Sequence, residues 1–578
     1  MLWEEEQFDD QVVKDLSSKL GCSLFISKLL LGRGFDHVDK ANAYLYPKLV
    51  HLADPFLVPH LKEACIRICE SIDRKDKVLI IGDYDVDGIT STVILAQILQ
   101  AFGLNPTYVI PHRMEEGYGL TLDVLERGMR QEKIDLVIAL DCGTNSFEEA
   151  AFLKNKGIDL VVIDHHQSKG NIHEHPTLLN PHLHGESGSQ WTNLCTAGLC
   201  FKLVHGVLKY LRSEENEAAL GISPKDYMAL TALGTLADMV PLDGENRVLA
   251  KYGLKHLRHN PSIGLQSLIR LANFDTRFPF DAEDITFRIA PRINACGRLN
   301  KPEVAAQLLL SQNSNEATNL ATQMDEFNEE RKKIEAQLTA IAHTQAEEKF
   351  TSQPAAVIAG KGKEWNPGVV GIVAGKLANS LNKPCIVMAY EKGRYKGSGR
   401  GIVGINLVKA LASCADLLEH WGGHPVAVGL TVHEDKLQDF ITTFMQVLKE
   451  DENDKLQVPS IKIDAVLHTQ EITSELLNEI SLIGPFGQEN REPIFALKEI
   501  TLNSKPRPVG NGEHFQFRVE NNQGSIAGIA WKMIDRTPPV NQKIDLAFRL
   551  RWNRWNNQNT PQIVLEDWKL SEEASQKS

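Results

Sequence analysis

Asp83-Tyr84-Asp85-Val86-Asp87-Gly88 sets three carboxylates at alternate positions directly behind the apolar run Val-Leu-Ile-Ile-Gly at 78. An oxygen-rich set of this kind suits hard divalent cations. The same hexapeptide also opens an EF-hand loop, but that loop needs a preceding helix and a bidentate glutamate at its twelfth position, where this chain has Ile94. Three further groups have related chemistry. Asp141 closes Leu-Val-Ile-Ala-Leu at 136, and Asp164-His165-His166 closes Asp-Leu-Val-Val-Ile at 159. Two adjacent histidines at a strand end can aim one imidazole at a metal and the other at a substrate oxygen. Asp238 lies in the apolar stretch Thr-Ala-Leu-Gly-Thr-Leu-Ala-Asp, where an unpaired ionised carboxylate is costly unless a metal or a buried partner resolves it. Four carboxylates and one or two histidines suffice for two divalent ions about 3.5–4 Å apart, the arrangement of in-line phosphoester hydrolysis. A lone zinc site needs fewer and softer ligands.

Such residues act only if strands bring them to one edge. From 78 to 166, β-rich apolar runs at 78, 107, 136 and 159 alternate with amphipathic stretches, which predicts βαβ units and a parallel sheet. Each run ends in polar residues, His112 and Arg113 among them, and ligands bind at the carboxyl ends of strands in open α/β sheets. Asn313 and Glu316 have capping-box spacing, and Leu320, Met324, Phe327, Ile334, Leu338 and Ile341 behind them predict a long helix joining two domains. Residues 354–450 read as a second α/β unit. Its loop Glu-Lys-Gly-Arg-Tyr-Lys-Gly-Ser-Gly-Arg carries Lys392, Arg394, Lys396 and Arg400; Ser398 beside Arg400 favours a phosphate site over a solvated hairpin tip. Gly422-Gly423-His424 lets backbone approach a ligand while presenting one imidazole, although a packed histidine fits equally. Gly-Ile-Val-Ala-Gly-Lys-Leu at 371 is one residue short of a Walker A loop, and the match of Gly399, Gly401 and Gly404 to a dinucleotide fingerprint lacks its acidic ribose ligand.

The segment from about 460 to 570 is β-rich and predicts a small barrel or sandwich. It interleaves Phe515, Phe517, Arg518, Trp531, Arg549, Arg551, Trp552, Arg554 and Trp555, of which the outward-facing half could stack on bases and contact phosphates.

Length, 578 residues, predicts three or four domains. The net charge of −13 gives no global attraction to nucleic acid, so DNA binding requires a local basic surface. Nine scattered cysteines without a Cys-x-x-Cys pair argue against disulfides and structural zinc. The amino terminus lacks a signal-peptide pattern and no apolar run reaches the ~20 residues that span a bilayer, so the expected location is the cytoplasm, away from membranes.

Read in order, Asp-Tyr-Asp-Val-Asp-Gly at 83, Asp-Cys-Gly at 141, Asp-His-His at 164, Gly-Thr-Leu-Ala-Asp at 234, Pro-Arg-Ile-Asn-Ala-Cys-Gly-Arg at 291, Gly-Ser-Gly-Arg at 397 and Gly-Gly-His at 422 resemble the motif series of the DHH phosphoesterases. The order, and Gly-Pro-Phe-Gly-Gln-Glu-Asn-Arg-Glu-Pro-Ile-Phe at 484, is most similar to the RecJ branch. The resemblance implies an α/β fold: an N-terminal helical segment (1–60), a parallel-sheet DHH domain (61–312), a connecting helix (313–352), a smaller DHHA1-type α/β domain (353–452) and an OB-like β-barrel (458–572). It implies that Asp83, Asp85, Asp141, His165 and Asp238 bind two Mn²⁺ or Mg²⁺ ions, with Asp85 and Asp141 shared, and that Asp164 belongs to the catalytic group. His166 would contact the scissile phosphate. Arg113, Arg298, Ser398 and Arg400 would hold the 5′-phosphate or its neighbours, and His424 would contact substrate.

The implied activity is 5′-to-3′ exonucleolytic release of 5′-mononucleotides from single-stranded DNA in repair and recombination. A monomer is expected, with a single-strand-binding protein and a helicase as possible partners. Leu79 stands where pyrophosphatases of the family carry a histidine, which argues against that activity. A nano-RNase or cyclic-dinucleotide phosphodiesterase and an inactive DNA-binding scaffold are the rival readings. One departure is Trp365-Asn366-Pro367-Gly368, where RecJ-like chains often carry a histidine after the tryptophan.

Overall fold

The computed structural model describes residues 2–112, 115–117, 119–130, 132–168, 177–184, 188–451, 460–521, 524–554 and 559–571. The chain forms two units. One gathers Met1–Ala53, Met239–Lys251 and Val458–Ser578; the other gathers Asp54–Asp238 and Tyr252–Gln457.

The first unit departs from the expected helical amino-terminal segment. It begins with a strand, β1 (Leu2–Glu5), before the helices Asp10–Leu20, Leu24–Leu31 and Val38–Leu45. Leu16, Ile26, Leu29, Leu30 and Leu45 of these helices are buried together with Ile483 from the far end of the chain.

In the second unit β2 (Val78–Gly82), β3 (Thr107–Val109), β4 (Leu136–Leu140), β5 (Asp159–Ile163) and β6 (Leu178–Leu179) form a wholly parallel sheet in the order β3-β2-β4-β5-β6. β2 and β4 are buried throughout, as expected of strands covered on both faces. The chain leaves β2 for β3 on one side and returns to β4 on the other, so the order of winding reverses between β2 and β4 and opens a crevice at their carboxyl ends. The helix Ser314–Phe350, 37 residues and roughly 55 Å long, runs along this unit. Asn313 caps it by accepting from Asn315 N and Glu316 N, while the Glu316 carboxylate takes the Ser311 hydroxyl, so only half of the expected capping box forms. The helix buries mostly small residues, Ala317, Ala321, Ala342 and Ala346, and of the expected apolar seam only Met324 and Leu338 are fully enclosed.

A second sheet follows, with β7 (Ala356–Gly360), β8 (Cys385–Glu391), β9 (Arg394–Arg400), β10 (His420–His424) and β11 (Ala427–His433) in the order β10-β11-β9-β8-β7. The helix Val370–Leu381 and the long helix cover one face around Ala356, Ile358, Val387 and Ala389.

The first unit closes with β12 (Ser460–Ile463), which pairs in parallel with β1, and with β13 (Ala465–Leu467), β14 (Phe495–Thr501), β15 (Arg507–Val509), β16 (His514–Asn521), β17 (Gly524–Ala530), β18 (Lys543–Asn553) and β19 (Thr560–Leu570) in one sheet ordered β13-β14-β18-β19-β17-β16-β15. Its aromatics follow the expected alternation: Phe515 and Phe517, two apart on β16, both enter the core, with Gln516 and Arg518 exposed, and Trp552 leans on the core. Arg549 and Arg551 bond Glu492 and Glu566, so their charges are already paired. Trp531 is exposed, Arg518 bonds only the Ser525 hydroxyl among its described partners, and Trp555 lies outside the described residues.

Arg247, in the first turn of the helix Gly244–His259, is fully buried in this unit. Its Nε donates to Tyr44 O, and Nη2 donates to Leu482 O and Gly484 O, with the guanidinium over the Tyr44 ring. Burial lowers its pKa to about 10, which still leaves it charged at neutral pH. Arg247→Ala strands three carbonyls and should destabilise this unit by about 2–4 kcal/mol, read as an earlier transition in chemical denaturation. An unchanged transition would show that the carbonyls find other donors.

Candidate metal and phosphate site

The acids stand in register because the backbone ladder continues past the strand ends: Asp83 N donates to Leu140 O, Asp141 N to Ile163 O and Asp164 N to Leu179 O. Gly88 permits the turn after β2, since a Cβ there would meet Asp83 backbone atoms at 2.4–2.7 Å. Asp85 caps the helix Val86–Ala101 through Gly88 N. Asp141 has a φ of 62°, in the left-handed region that Asp and Asn tolerate better than other non-glycine residues. A strained backbone at the carboxyl end of a central strand is a feature of functional sites.

Three sets of side chains come close enough to share a cation: Asp83, Asp85 and Asp141; Asp141, His165 and His166; and Asp87, His165 and Asp238, each with candidate ligand atoms within 4.8 Å of one another. Asp83, Asp85, Asp141, His165, His166 and Asp238 are therefore brought together, with Asp141 and His165 each in two sets. His165 Nε2 is enclosed and makes no hydrogen bond, yet Asp141 Oδ1 and Asp238 Oδ2 each lie 3.4 Å away and Asp87 Oδ2 3.9 Å away. An imidazole nitrogen ringed by carboxylate oxygens at slightly more than hydrogen-bond distance is what a hard divalent pair would draw together.

Electrostatics agree. Burial, then the neighbouring Asp141 and Asp83 carboxylates, push Asp85 well above the ordinary range. Burial with Asp141 and Asp238 raises Asp87 to about 8, and burial raises Asp238 to about 6 against the pull of His165. Burial opposes a charge on His165, but Asp141, Asp238 and Asp87 prevail and raise it to about 10; His166 is raised to about 10 against burial, chiefly by Asp164. Clustered like charges at a crevice are arranged for cation binding.

Asp164 has a different task. Its Oδ1 accepts from His165 N, His166 N and His166 Nδ1, and its Oδ2 from Thr144 N. It fixes the direction of His166, whose ring is half exposed. Sequence reasoning left three contributors unassigned. Asp87 is buried and accepts from Thr196 N and Ala197 N, anchoring the helix Thr196–Ser213; the Thr196 hydroxyl then donates to Asp141 Oδ1. Asn180 Nδ2 bridges Thr144 Oγ1 and His166 O. Asp87 was visible as the third carboxylate of its motif; Thr196 and Asn180 carry no local signal.

A cleft of about 1310 Å³ contains Asp83, Asp141, Asp164 and His166 from the first sheet and Ser398, Arg400 and His424 from the second. Arg400 Nη1 donates to Ser398 Oγ and Gly399 O, and a Cβ at Gly371, in the first turn of Val370–Leu381, would press on both side chains at 3.2–3.4 Å. Two other basic residues of that stretch, both on β9, are engaged elsewhere, Arg394 with Glu419 and Lys396 with Glu391. Arg298 Nη1 donates to Gly368 O at 2.7 Å, tying the helix Ala290–Arg298 to the segment Trp365–Gly368, and Asn366 caps the same turn through Gly368 N. His112 Nε2 is held by Glu303. Arg113 lies outside the described residues. No helix among the described residues is long and apolar enough to cross a membrane.

Aspartates and a histidine pair along the edge of a parallel sheet, facing a second α/β domain, define the DHH class: residues 77–235 match the DHH family N-terminal domain and 353–450 the DHHA1 domain. Residues 463–567 match the RecJ OB domain. The chain is 33% identical over 576 residues to the single-stranded-DNA-specific exonuclease RecJ of Bacillus subtilis (strain 168), covering 99% of this chain and 71% of that one. It is 31% identical to the protein of the same name from Haemophilus influenzae, covering 90% and 92%. The crystal structure of RecJ in complex with Mn²⁺ from Thermus thermophilus superposes with a TM-score of 0.82 at 27% identity over 99% of this chain and 80% of that one; a Mg²⁺ complex from the same organism gives 0.78. The chain belongs to the RecJ family.

Proposed function

We propose that the chain is a 5′-to-3′ exonuclease on single-stranded DNA that releases 5′-mononucleotides with two Mn²⁺ or Mg²⁺ ions. The observation that carries this reading is the imidazole of His165 ringed by Asp141, Asp238 and Asp87, with Asp141, Asp83 and His166 lining the same cleft as Ser398 and Arg400. Asp83, Asp85, Asp141, His165 and Asp238 would hold the metals. Bound there, the ions supply a water acidified toward neutrality and charge neutralisation for in-line displacement. Asp87 holds the Thr196 hydroxyl against Asp141 and so fixes that ligand. Asp164 orients His166, whose protonated ring donates to a non-bridging oxygen of the scissile phosphate and stabilises its developing charge. Ser398 and Arg400 seat the 5′-phosphate, Arg113 and His424 add contacts to the strand, and Arg298 steadies the loop beside the seat. The protein works as a cytoplasmic monomer, in company with a single-strand-binding protein and a helicase.

The test is incubation with Mn²⁺ and end-labelled 5′-phosphorylated single strands, beside duplex and 5′-hydroxyl controls. Mononucleotides should appear from the single strand; their absence would sink the exonuclease reading. Arg400→Ala should erode the preference for 5′-phosphate over 5′-hydroxyl ends by roughly 10- to 100-fold, as expected for a charge-assisted contact of about 1.5–3 kcal/mol. An unaltered preference would remove Arg400 from the phosphate seat.

A further inference from the structure

Gly429 sits in the middle of β11, where glycine weakens a strand, and packing does not account for it. Its partners across the sheet are Ser398 on β9 and Gly422 on β10. On the opposite face the glycines are required: a Cβ at Gly397 would meet Met388 at 2.2 Å, at Gly399 Val428 at 2.7 Å, and at Gly423 the Ala427 carbonyl oxygen at 2.3 Å. At Gly429 a Cβ meets no heavy atom within 4 Å among the described residues, and its φ lies outside the left-handed region, so any residue fits the backbone. Val428, Leu430 and Val432 point into the core, which turns Gly429 outward into the cleft. A strand glycine with open space above it marks close approach by a ligand.

The surroundings say which part of the ligand. On one side of the Ser398–Gly429–Gly422 row lie Arg400, Ala427 and His424; on the other lie Lys396, Thr431 and His420. The second side is bordered by Glu391, paired with Lys396, and Glu419, paired with Arg394. These carboxylates offset the basic groups there and disfavour a phosphate, whereas Arg400 attracts one. Resting on the exonuclease reading above, we propose that Gly429 is the floor of the subsite for the terminal nucleoside, the sugar and base that adjoin the phosphate held by Ser398 and Arg400. A side chain at 429 lifts that nucleoside off the sheet and displaces its phosphate from Arg400.

Gly429→Ala and Gly429→Val form a graded series. Thermal unfolding should be unchanged or raised, while the Kd for a short 5′-phosphorylated oligodeoxynucleotide, read by fluorescence anisotropy in EDTA so that no hydrolysis proceeds, rises with side-chain size, on the order of 10- to 100-fold for valine. In Mn²⁺, KM should rise in the same order with kcat much less affected. If valine lowers the unfolding temperature, the alanine variant decides. Equal Kd for all three proteins would overturn the subsite. Should the unaltered chain bind the oligonucleotide but release no mononucleotides, the exonuclease reading fails and the anisotropy series still decides whether Gly429 floors a binding site.

Discussion

Asp141→Asn should lower the rate of Mn²⁺-dependent mononucleotide release by about a thousandfold or more, some 4 kcal/mol of barrier, while leaving the fold intact. Asp141 belongs to two of the three candidate cation sets, so losing its charge weakens both. Asparagine is the informative replacement. It tolerates the positive φ of this position and can keep accepting from the Thr196 hydroxyl, whereas alanine adds backbone strain of about 1 kcal/mol or more and confuses catalysis with stability. Metal-free Asp141→Asn should unfold at a somewhat lower temperature than the unaltered protein, because His165 and His166 hold the Asp141 carboxylate below its usual range and that pairing is lost. Activity within tenfold of the unaltered chain would exclude Asp141 as a ligand.

Metal should stabilise the folded protein more at pH 8 than at pH 6. Without metal, Asp238 and Asp87 titrate near 6 and 8, above the 3.8 of the unfolded chain. Their folded forms hold protons that the unfolded chain has released, so the stability they contribute is complete below about pH 4 and is lost as pH rises through 6 and then 8. His165 and His166, raised to about 10, contribute in the same sense, fully below about pH 6.5 and lost as pH rises through 10. A divalent cation replaces those protons as the balancing charge, and proton competition weakens as pH rises. At a hundredfold excess over Kd the gain is about 2.7 kcal/mol, and at fixed total Mn²⁺ that excess grows with pH. The check is the rise in unfolding temperature on adding Mn²⁺ at the two pH values. An equal or smaller rise at pH 8 would contradict this account.

The site was largely legible because its chemistry sits at the ends of unmistakable strands. Asp83, Asp141 and Asp164 each follow an apolar run by one residue, and a parallel sheet has only one carboxyl edge to bring them to. Asp238 was legible from its cost in an apolar stretch. What the pattern could not convey is pairing at a distance. Arg549 and Arg551 look like free phosphate ligands until Glu492 and Glu566 appear beside them, and Lys396 and Arg394 until Glu391 and Glu419 do. The two oxygens of Asp87 look available until two amides from residues 196 and 197 occupy them. The amino-terminal strand was missed because four residues at the chain start have no period to read, and their partner lies at 460–463.

That distant partner bears on how the molecule is made. The catalytic unit is complete once residue 457 has been synthesised, but the other unit is assembled from the first, a middle and the last stretch of the chain, down to Trp3 Nε1 donating to Asp567. During translation the apolar face of Leu16, Ile26, Leu29, Leu30 and Leu45 therefore waits for its Ile483 neighbour until more than four hundred further residues have emerged. Nascent chains stalled between residues 457 and 483 carry a completed catalytic unit and an unfinished hydrophobic surface in the other unit, which makes them natural clients of chaperones and proteases.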